Sequence, residues 1–426
     1  MEKVLDHNCS NCDGILKFNP KTQCWKCEHC RKEYNLENLK SFLDQIQKEN
    51  EQNLMIEENN VEIFNCPNCG AEILCGENTS VTSCVYCKNT AIIKKRLKGK
   101  YNPQYIIPFK ISKEKAFENF IKNNKNKFFL PKDFKLQNKT EEFVGIYVPF
   151  WLYDYTLDAS VILKCQKRKY NCIDNYKIVR KGSMQFENIP VDGSKIIDNS
   201  VMNSIEPFNY NEMIEFNSSY LSGFLSEKYD VCNEQSSKES RKRIEQSYIN
   251  RIKQGLKEFD NIEIEEQKFY FRKEIAKYVL LPVWFINVRY KNEIYRFAIN
   301  GQTGKIKGHT PIDNKKMNIF IVFMGIIVFL MSYIILNYIL IYINKTINID
   351  NLKNVTTNII FVIISLILGI IISIILKFKI IYNSNTIRKS KSADIYKKKG
   401  SMEFHKKENI YLSSEPYNKD NIRRKN

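Results

Sequence analysis

Eight cysteines near the start of this 426-residue chain stand at spacings that fit metal coordination. Cys9-x2-Cys12 is followed after fourteen residues by Cys27-x2-Cys30, and Cys66-x2-Cys69 is followed after fourteen by Cys84-x2-Cys87. A Cys-x2-Cys pair lies on a tight turn that aims two thiolates at one point. Two such turns complete the tetrahedral sulfur shell that Zn2+ favours. The spacing predicts two zinc ions, one held by Cys9, Cys12, Cys27 and Cys30 and the other by Cys66, Cys69, Cys84 and Cys87. With four protein sulfurs per ion, no position stays open for water, so both sites read as structural. Cys24-x2-Cys27 would also make a knuckle but breaks the repeat. Cys24 aligns with Val81 and Cys75 with Phe18, and both are read as non-ligands. A disulfide framework has no reason to fall twice into this spacing.

Little else in the chain has the residue types for catalysis. Of the four histidines, His7 and His29 lie beside ribbon cysteines, His309 closes the central region and His405 stands near the C-terminus. There is no HExxH, no G-x-S-x-G and no glycine-rich phosphate loop. Asn300-Gly-Gln-Thr-Gly-Lys305 is not a Walker A loop, because two residues separate its glycines and Ile306 stands where Ser or Thr should hold magnesium. It reads as a turn between strands. The expectation is a protein that is not an enzyme, with no small-molecule substrate.

The elements that must position the cysteines follow from composition. The predicted fold class is α+β: tandem zinc ribbons at 1–35 and 61–100, a mixed α+β domain at 101–314, and a two-helix transmembrane hairpin at 315–380. A helical linker at 36–60 carries Leu36, Leu39, Leu43 and Ile46 at helical spacing, and a basic tail occupies 381–426. In the mixed domain, Gly145-Ile-Tyr-Val-Pro-Phe-Trp-Leu-Tyr-Asp154 and Tyr278-Val-Leu-Leu-Pro-Val-Trp-Phe-Ile-Asn287 resemble each other. Both read as buried strands, with proline marking an edge or bulge. Pro190-Val-Asp-Gly-Ser194 reads as a turn with Ser194 capping a helix, and 220–230 as a short packed helix. Residues 237–259 read as a longer helix with Ile244, Tyr248, Ile252 and Leu256 on one face.

Two near-continuous apolar runs, 317–343 and 358–376, each reach the length of about 20 residues needed to cross a bilayer. Lysines flank them on the outer sides, and the connector is short and polar. The positive-inside rule then puts both termini in the cytoplasm, in keeping with reduced, metal-bound thiols. The net charge of +19 invites a nucleic-acid reading, but residues 1–100 hold 14 basic and 14 acidic side chains. The ribbons are neutral apart from the run Lys94–Lys100. The excess sits partly beyond the hairpin, where 381–426 holds 12 basic and 5 acidic residues. A basic tail beside a membrane favours anionic lipid over nucleic acid.

The order of these motifs resembles the bacterial YdjG-type membrane proteins with tandem TFIIB-type ribbons. The segments that carry the likeness are the paired ribbons, Ile107-Pro-Phe-Lys110, Tyr147-Val-Pro-Phe-Trp151, Pro190-Val-Asp-Gly-Ser194, Ser204-Ile-Glu-Pro-Phe208, Tyr220-Leu-Ser-Gly-Phe224, Leu281-Pro-Val-Trp284, Asn300-Gly-Gln-Thr-Gly-Lys305 and the hairpin. The resemblance implies a membrane-anchored factor, in some bacteria associated with a phage-shock (PspA-like) membrane-stress system, that recruits partner proteins to the membrane. The chain departs from the usual ribbon pattern where glycine follows the second knuckle cysteine. Asp13, Arg31 and Lys88 stand there, and only Gly70 fits.

Overall fold

The two aromatic segments around Pro149 and Pro282 become the centre of one long sheet. In the computed structural model, residues 9–12, 14–39, 61–76, 84–86, 93–95, 103–125, 127–136, 143–195, 199–291, 293–347, 355–384 and 392–416 are described. The strands in chain order are β1 Leu16–Asn19, β2 Cys24–Cys27, β3 Glu33–Tyr34, β4 Val61–Asn65, β5 Glu72–Gly76, β6 Ile93–Lys95, β7 Tyr105–Ile106, β8 Phe143–Lys169, β9 Cys172–Asp192, β10 Ile214–Glu215, β11 Leu225–Glu227, β12 Asn261–Tyr290, β13 Glu293–Asn300, β14 Ile306–Gly308 and β15 Glu403–Pro416. Strands β1 to β3 form a small sheet of their own, and the other twelve join one sheet. At about 3.3 Å per residue, β8 spans about 90 Å.

Both aromatic segments lie in the interior of the sheet, so the expected edge position does not hold. Pro149 pairs with Leu280, and Pro282 with Tyr147. A strand residue's N–H and C=O point to the same side. The Pro149 carbonyl accepts from Gly193 N at 2.9 Å and the Pro282 carbonyl from Gly301 N at 2.8 Å. Each proline nitrogen therefore faces the side where the neighbouring strand ends, β9 at Asp192 and β13 at Asn300. No ladder bond is lost.

The burial pattern of β8 changes along its length. Its first half is buried on both faces, as a continuous apolar run requires. Phe143 and Tyr147 join Trp25, Phe18 and Leu16 in one cluster, while Ile146, Val148, Phe150 and Leu152 join Cys66, Ile73, Val85 and Tyr86 in another. The two ribbons thus cover opposite faces of the same strand. In the second half, Tyr155, Leu157, Val161 and Leu163 pack against Ile244, Tyr248 and Ile252 of the helix Asn233–Gln254. The alternating residues Thr156, Asp158, Ser160 and Lys164 stay partly exposed. The expected helix at 237–259 is therefore present, beginning earlier and ending at Gln254. The expected helix at 220–230 is instead a 3-10 turn, Ser218–Leu221, followed by β11.

Residues 392–416, read from composition as a basic tail, return to the domain. Ala393 and Tyr396 are buried. Ala393 N donates to Ser247 Oγ at 2.6 Å, and β15 pairs antiparallel with β9 from Glu403 to Pro416.

Two helices, Asn314–Ile347 and Val355–Ser384, are long and apolar enough to cross a membrane, over Asn314–Tyr342 and Thr357–Tyr382. They pack on one another and leave most of their apolar side chains facing outward. Two glycines face each other where the helices meet. A Cβ on Gly369 would lie 3.0 Å from the Gly325 carbonyl oxygen, and one on Gly325 would lie 2.6 Å from Ser373 Oγ. Small residues at a crossing let helix backbones approach in lipid. Gly369→Leu is expected to lower hairpin stability by about 1–3 kcal/mol, read by thermal melting in detergent. The outward-facing Ile367→Leu serves as control, and equal melting of the two variants would show that the crossing is not tight.

Candidate metal centres

The turns at Cys9, Cys27 and Cys66 share one local design. Cys9 N donates to Gly14 O at 2.8 Å, Cys27 N to Lys32 O at 2.9 Å and Cys66 N to Ala71 O at 2.9 Å. Two of them are also closed by a bond one residue past the second cysteine, from Arg31 N to Cys27 O at 3.0 Å and from Gly70 N to Cys66 O at 2.8 Å. That position needs a left-handed backbone. Gly70 has φ +76° and Arg31 has φ +62°. Arginine thus keeps the turn at the cost of a conformation that a Cβ disfavours, by about 1 kcal/mol.

These turns bring Cys9, Cys12, Cys27 and Cys30 together, with all four Sγ atoms within 4.8 Å of one another. Cys9 Sγ to Cys30 Sγ and Cys12 Sγ to Cys27 Sγ are each 3.5 Å. A tetrahedral tetrathiolate with bonds of about 2.3 Å has edges of about 3.8 Å, so this donor set fits a metal ion. Backbone N–H groups of Asn11 and Cys30 point at Cys9 Sγ and Cys27 Sγ at 3.4 Å each, and Tyr34 Oη lies 3.0 Å from Cys9 Sγ. Gly14 is required by space, since a Cβ there would lie 3.0 Å from Cys27 Sγ. Cys24 opens β2, paired with Asn19, and is not part of the cluster.

Cys9 and Cys12 differ in how readily they ionise. Burial pushes Cys9 up, but bonds from Tyr34 and nearby N–H groups prevail and hold it at about 6. At Cys12 the Gly14 backbone favours the thiolate, yet burial and the neighbouring sulfurs push it up to about 12. Like charges this close ionise together only when a cation balances them.

In the second ribbon, Cys66, Cys69 and Cys84 lie within 4.8 Å of one another, with Cys69 Sγ and Cys84 Sγ 3.5 Å apart. Cys87, the expected fourth ligand, lies outside the described residues. So do Asp13, Lys88, Leu43, Ile46 and the run beyond Lys95.

Neither ribbon hangs free. Trp25, fully buried, packs against Phe18 and Tyr220 at centroid distances of 5.1 and 4.9 Å, and its Nε1 donates to Ser219 O at 2.7 Å. Ribbon 2 extends the main sheet through β5, which pairs with β11. Its knuckle docks by side chains: Asn287 Nδ2 donates to the Val85 and Tyr86 carbonyls, and Tyr86 Oη donates to Glu227 Oε2 at 2.6 Å. The sequence reading missed this carboxylate. Ser194, expected to cap a helix, instead donates through Oγ to Glu227 Oε1 at 2.6 Å.

Burial pushes the fully buried Glu227 carboxyl up to about 7, against the lowering effect of the Ser194 and Tyr86 bonds, with Asp230 adding to the rise. A raised folded-state value means the native state holds a proton that the unfolded chain has released. Stability is then full below the ordinary glutamate range and falls as pH rises from about 4.5 to 7. The loss expected from this group is of the order of 3 kcal/mol. Glu227→Gln should flatten that slope in thermal melts of metal-loaded protein, and an unchanged slope would place its origin elsewhere.

The chain is similar to the "Uncharacterized protein YdjG" of Bacillus subtilis (strain 168). The two are 29% identical over 322 residues, which cover 74% of this chain and 92% of the relative. This agrees with the likeness drawn from the motif order. No family model matches the chain, and no solved structure matches it.

Proposed function

We propose that this chain is a membrane-anchored, cytoplasm-facing zinc-ribbon scaffold that recruits partner proteins to the bilayer. The observation that carries the reading is the four-sulfur cluster of Cys9, Cys12, Cys27 and Cys30 on a chain that also bears two outward-facing apolar helices. Four thiolates suit Zn2+ and close its coordination shell, which favours a structural over a catalytic ion. Cys66, Cys69, Cys84 and Cys87 hold the second ion in this reading. The apolar helices bury little of their own surface, and a bilayer is the solvent that accepts such a surface on all sides. Lysines on the outer flanks put both termini in the cytoplasm.

The ribbons' aromatic residues are used for docking onto the domain, so partner contact falls to the exposed knuckle residues. Asn11, Glu28 and His29 are exposed on ribbon 1, and Pro67 and Asn68 on ribbon 2. The motif resemblance points to a membrane-stress partner of the PspA-like kind, and no catalytic step is assigned to the chain. Affinity capture from detergent-solubilised membranes tests recruitment. Recovery of a defined protein partner, lost when Glu28 and His29 are replaced, supports the scaffold. Recovery that nuclease treatment abolishes would overturn it in favour of nucleic-acid binding.

A further inference from the structure

Where the hairpin meets the domain, three segments close around a cavity of about 230 Å3. The turn 127–130 forms one wall, the linker 310–312 a second, and Ile380 with Ser384 from the end of the second apolar helix the third. The walls are tied together. Asp313 N donates to Phe129 O at 2.7 Å, Thr310 Oγ1 donates to Ser384 O at 3.2 Å, and Phe320 of the first helix packs on Phe128 and Phe129 at 6.3 and 5.4 Å.

The lining is mainly apolar, with the hydroxyl residues Thr310 and Ser384 and one cation. Lys127 Nζ is buried and has no hydrogen-bond partner among the described residues. Asp313, next to the lining residue Ile312, is already used: it accepts from Lys316 N at 3.2 Å and pairs with Lys316 Nζ at 3.3 Å, and Asp133, six residues beyond Lys127, accepts from Tyr290 Oη at 3.1 Å. Asn124, near the end of the helix Lys113–Lys125 that leads into this turn, is 3% exposed, and its side-chain Nδ2 and Oδ1 likewise find no partner among the described residues. Burial, with repulsion from Lys307, holds the Lys127 ammonium down at about 8. A buried ammonium without a counter-charge is costly, and an anion placed against it removes that cost. Phe128, beside it, is 69% exposed.

We propose that this pocket binds an anionic phospholipid, with the headgroup phosphate against Lys127 and the acyl chains running along Phe128 and the apolar helices. This rests on the hairpin crossing a bilayer. An apolar cavity with a single cation at the level where both helices enter lipid suits a ligand that is charged at one end and hydrocarbon at the other. A free phosphate would match only the cation.

The test uses the full chain in vesicles of phosphatidylcholine containing phosphatidylglycerol. These are washed with alkaline carbonate and then extracted in mild detergent, and bound lipid is counted by native mass spectrometry. Wild-type protein should retain phosphatidylglycerol over phosphatidylcholine, Lys127→Gln should lower that preference about tenfold, as for loss of a charge-assisted bond, and Lys127→Arg should keep it. Release of the wild-type chain by the carbonate wash would overturn the anchor itself. Retention in the vesicles with equal lipid preference in wild type and Lys127→Gln would overturn the pocket alone. Displacement of the lipid by inorganic phosphate would overturn the lipid assignment and leave phosphate as the ligand. A thermal melt of Lys127→Gln matching wild type excludes misfolding as the cause of any loss.

Discussion

Cys27→Ser is expected to reduce bound zinc from two ions per chain to one and to release the first ribbon from the domain. Cys27 is fully buried, and its sulfur belongs to a cluster of four. Its loss leaves three sulfurs around a cation that needs four. A ribbon of this size has too small a core to fold alone, and structural zinc contributes about 10–16 kcal/mol in isolated finger peptides. That contribution is large against the stability of a whole domain. Without it the β1–β2 hairpin loses its fixed geometry, and Trp25 loses its place between Phe18 and Tyr220. The expected readings are one zinc by metal analysis, a red-shifted emission from Trp25 and early proteolysis within the ribbon. Cys24→Ser is the matched control, because Cys24 lies three residues away on the same hairpin and outside the cluster. If the two variants bind the same amount of zinc, the assignment of Cys27 as a ligand is wrong.

A comparable loss is expected at the contact that holds the returning C-terminal segment. Arg243 and Glu206 are both buried, at 4% and 0% exposure, and their side chains meet at 2.9 Å. Arg243 Nη1 also donates to Pro190 O at 2.6 Å, and Tyr396 Oη donates to Glu206 Oε2 at 2.7 Å. This ties the helix Asn233–Gln254, the end of β9 and the turn after the hairpin to one carboxylate. Arg243→Met leaves that carboxylate buried without a countercharge, and the expected cost is about 3–5 kcal/mol. The double variant Arg243→Met/Glu206→Gln removes both charges and should recover most of the loss, since a buried pair replaced as a unit is often close to neutral. Thermal melts in detergent, followed by limited proteolysis of residues 392–416, read both effects. Equal destabilisation in the single and double variants would show that packing, and not the uncompensated charge, is responsible.

The four-cysteine cluster of ribbon 1 was legible because its geometry is local. A knuckle needs two thiols at fixed spacing on a short turn, and the repeat separated Cys27 and Cys30 from Cys24. Even the departure at Arg31 changed nothing in the turn, because the backbone bond to Cys27 O outweighs a modest φ penalty. The apolar helices were legible for a related reason, since a length of hydrocarbon-like side chains is a property of composition. The strands were read less well. The sequence suggested two short buried segments, whereas β8 and β12 run on for 27 and 30 residues. Their outer halves are amphipathic on one face only and carry many charges, so they lack the uniform apolar signal of the central part.

Glu227 and Arg243 gave no signal, and Glu206 and Asn287 stood out only as members of the segments Ser204–Phe208 and Tyr278–Asn287, not as partners of a buried contact. Each is a charged or polar residue of a kind that is usually exposed, and each becomes important only through a partner distant in sequence. Tyr86 lies 141 positions from Glu227, and Tyr396 lies 190 from Glu206. The thiols of the first cluster and the segments apolar enough to span a membrane follow from neighbours along the chain, and so can be read from residue order. The covering of opposite faces of one strand by the two ribbons, and the return of the segment beyond the hairpin to the domain, emerge in the folded chain alone. Those arrangements are selected by burial and by pairing of polar groups across the fold, which no local spacing encodes.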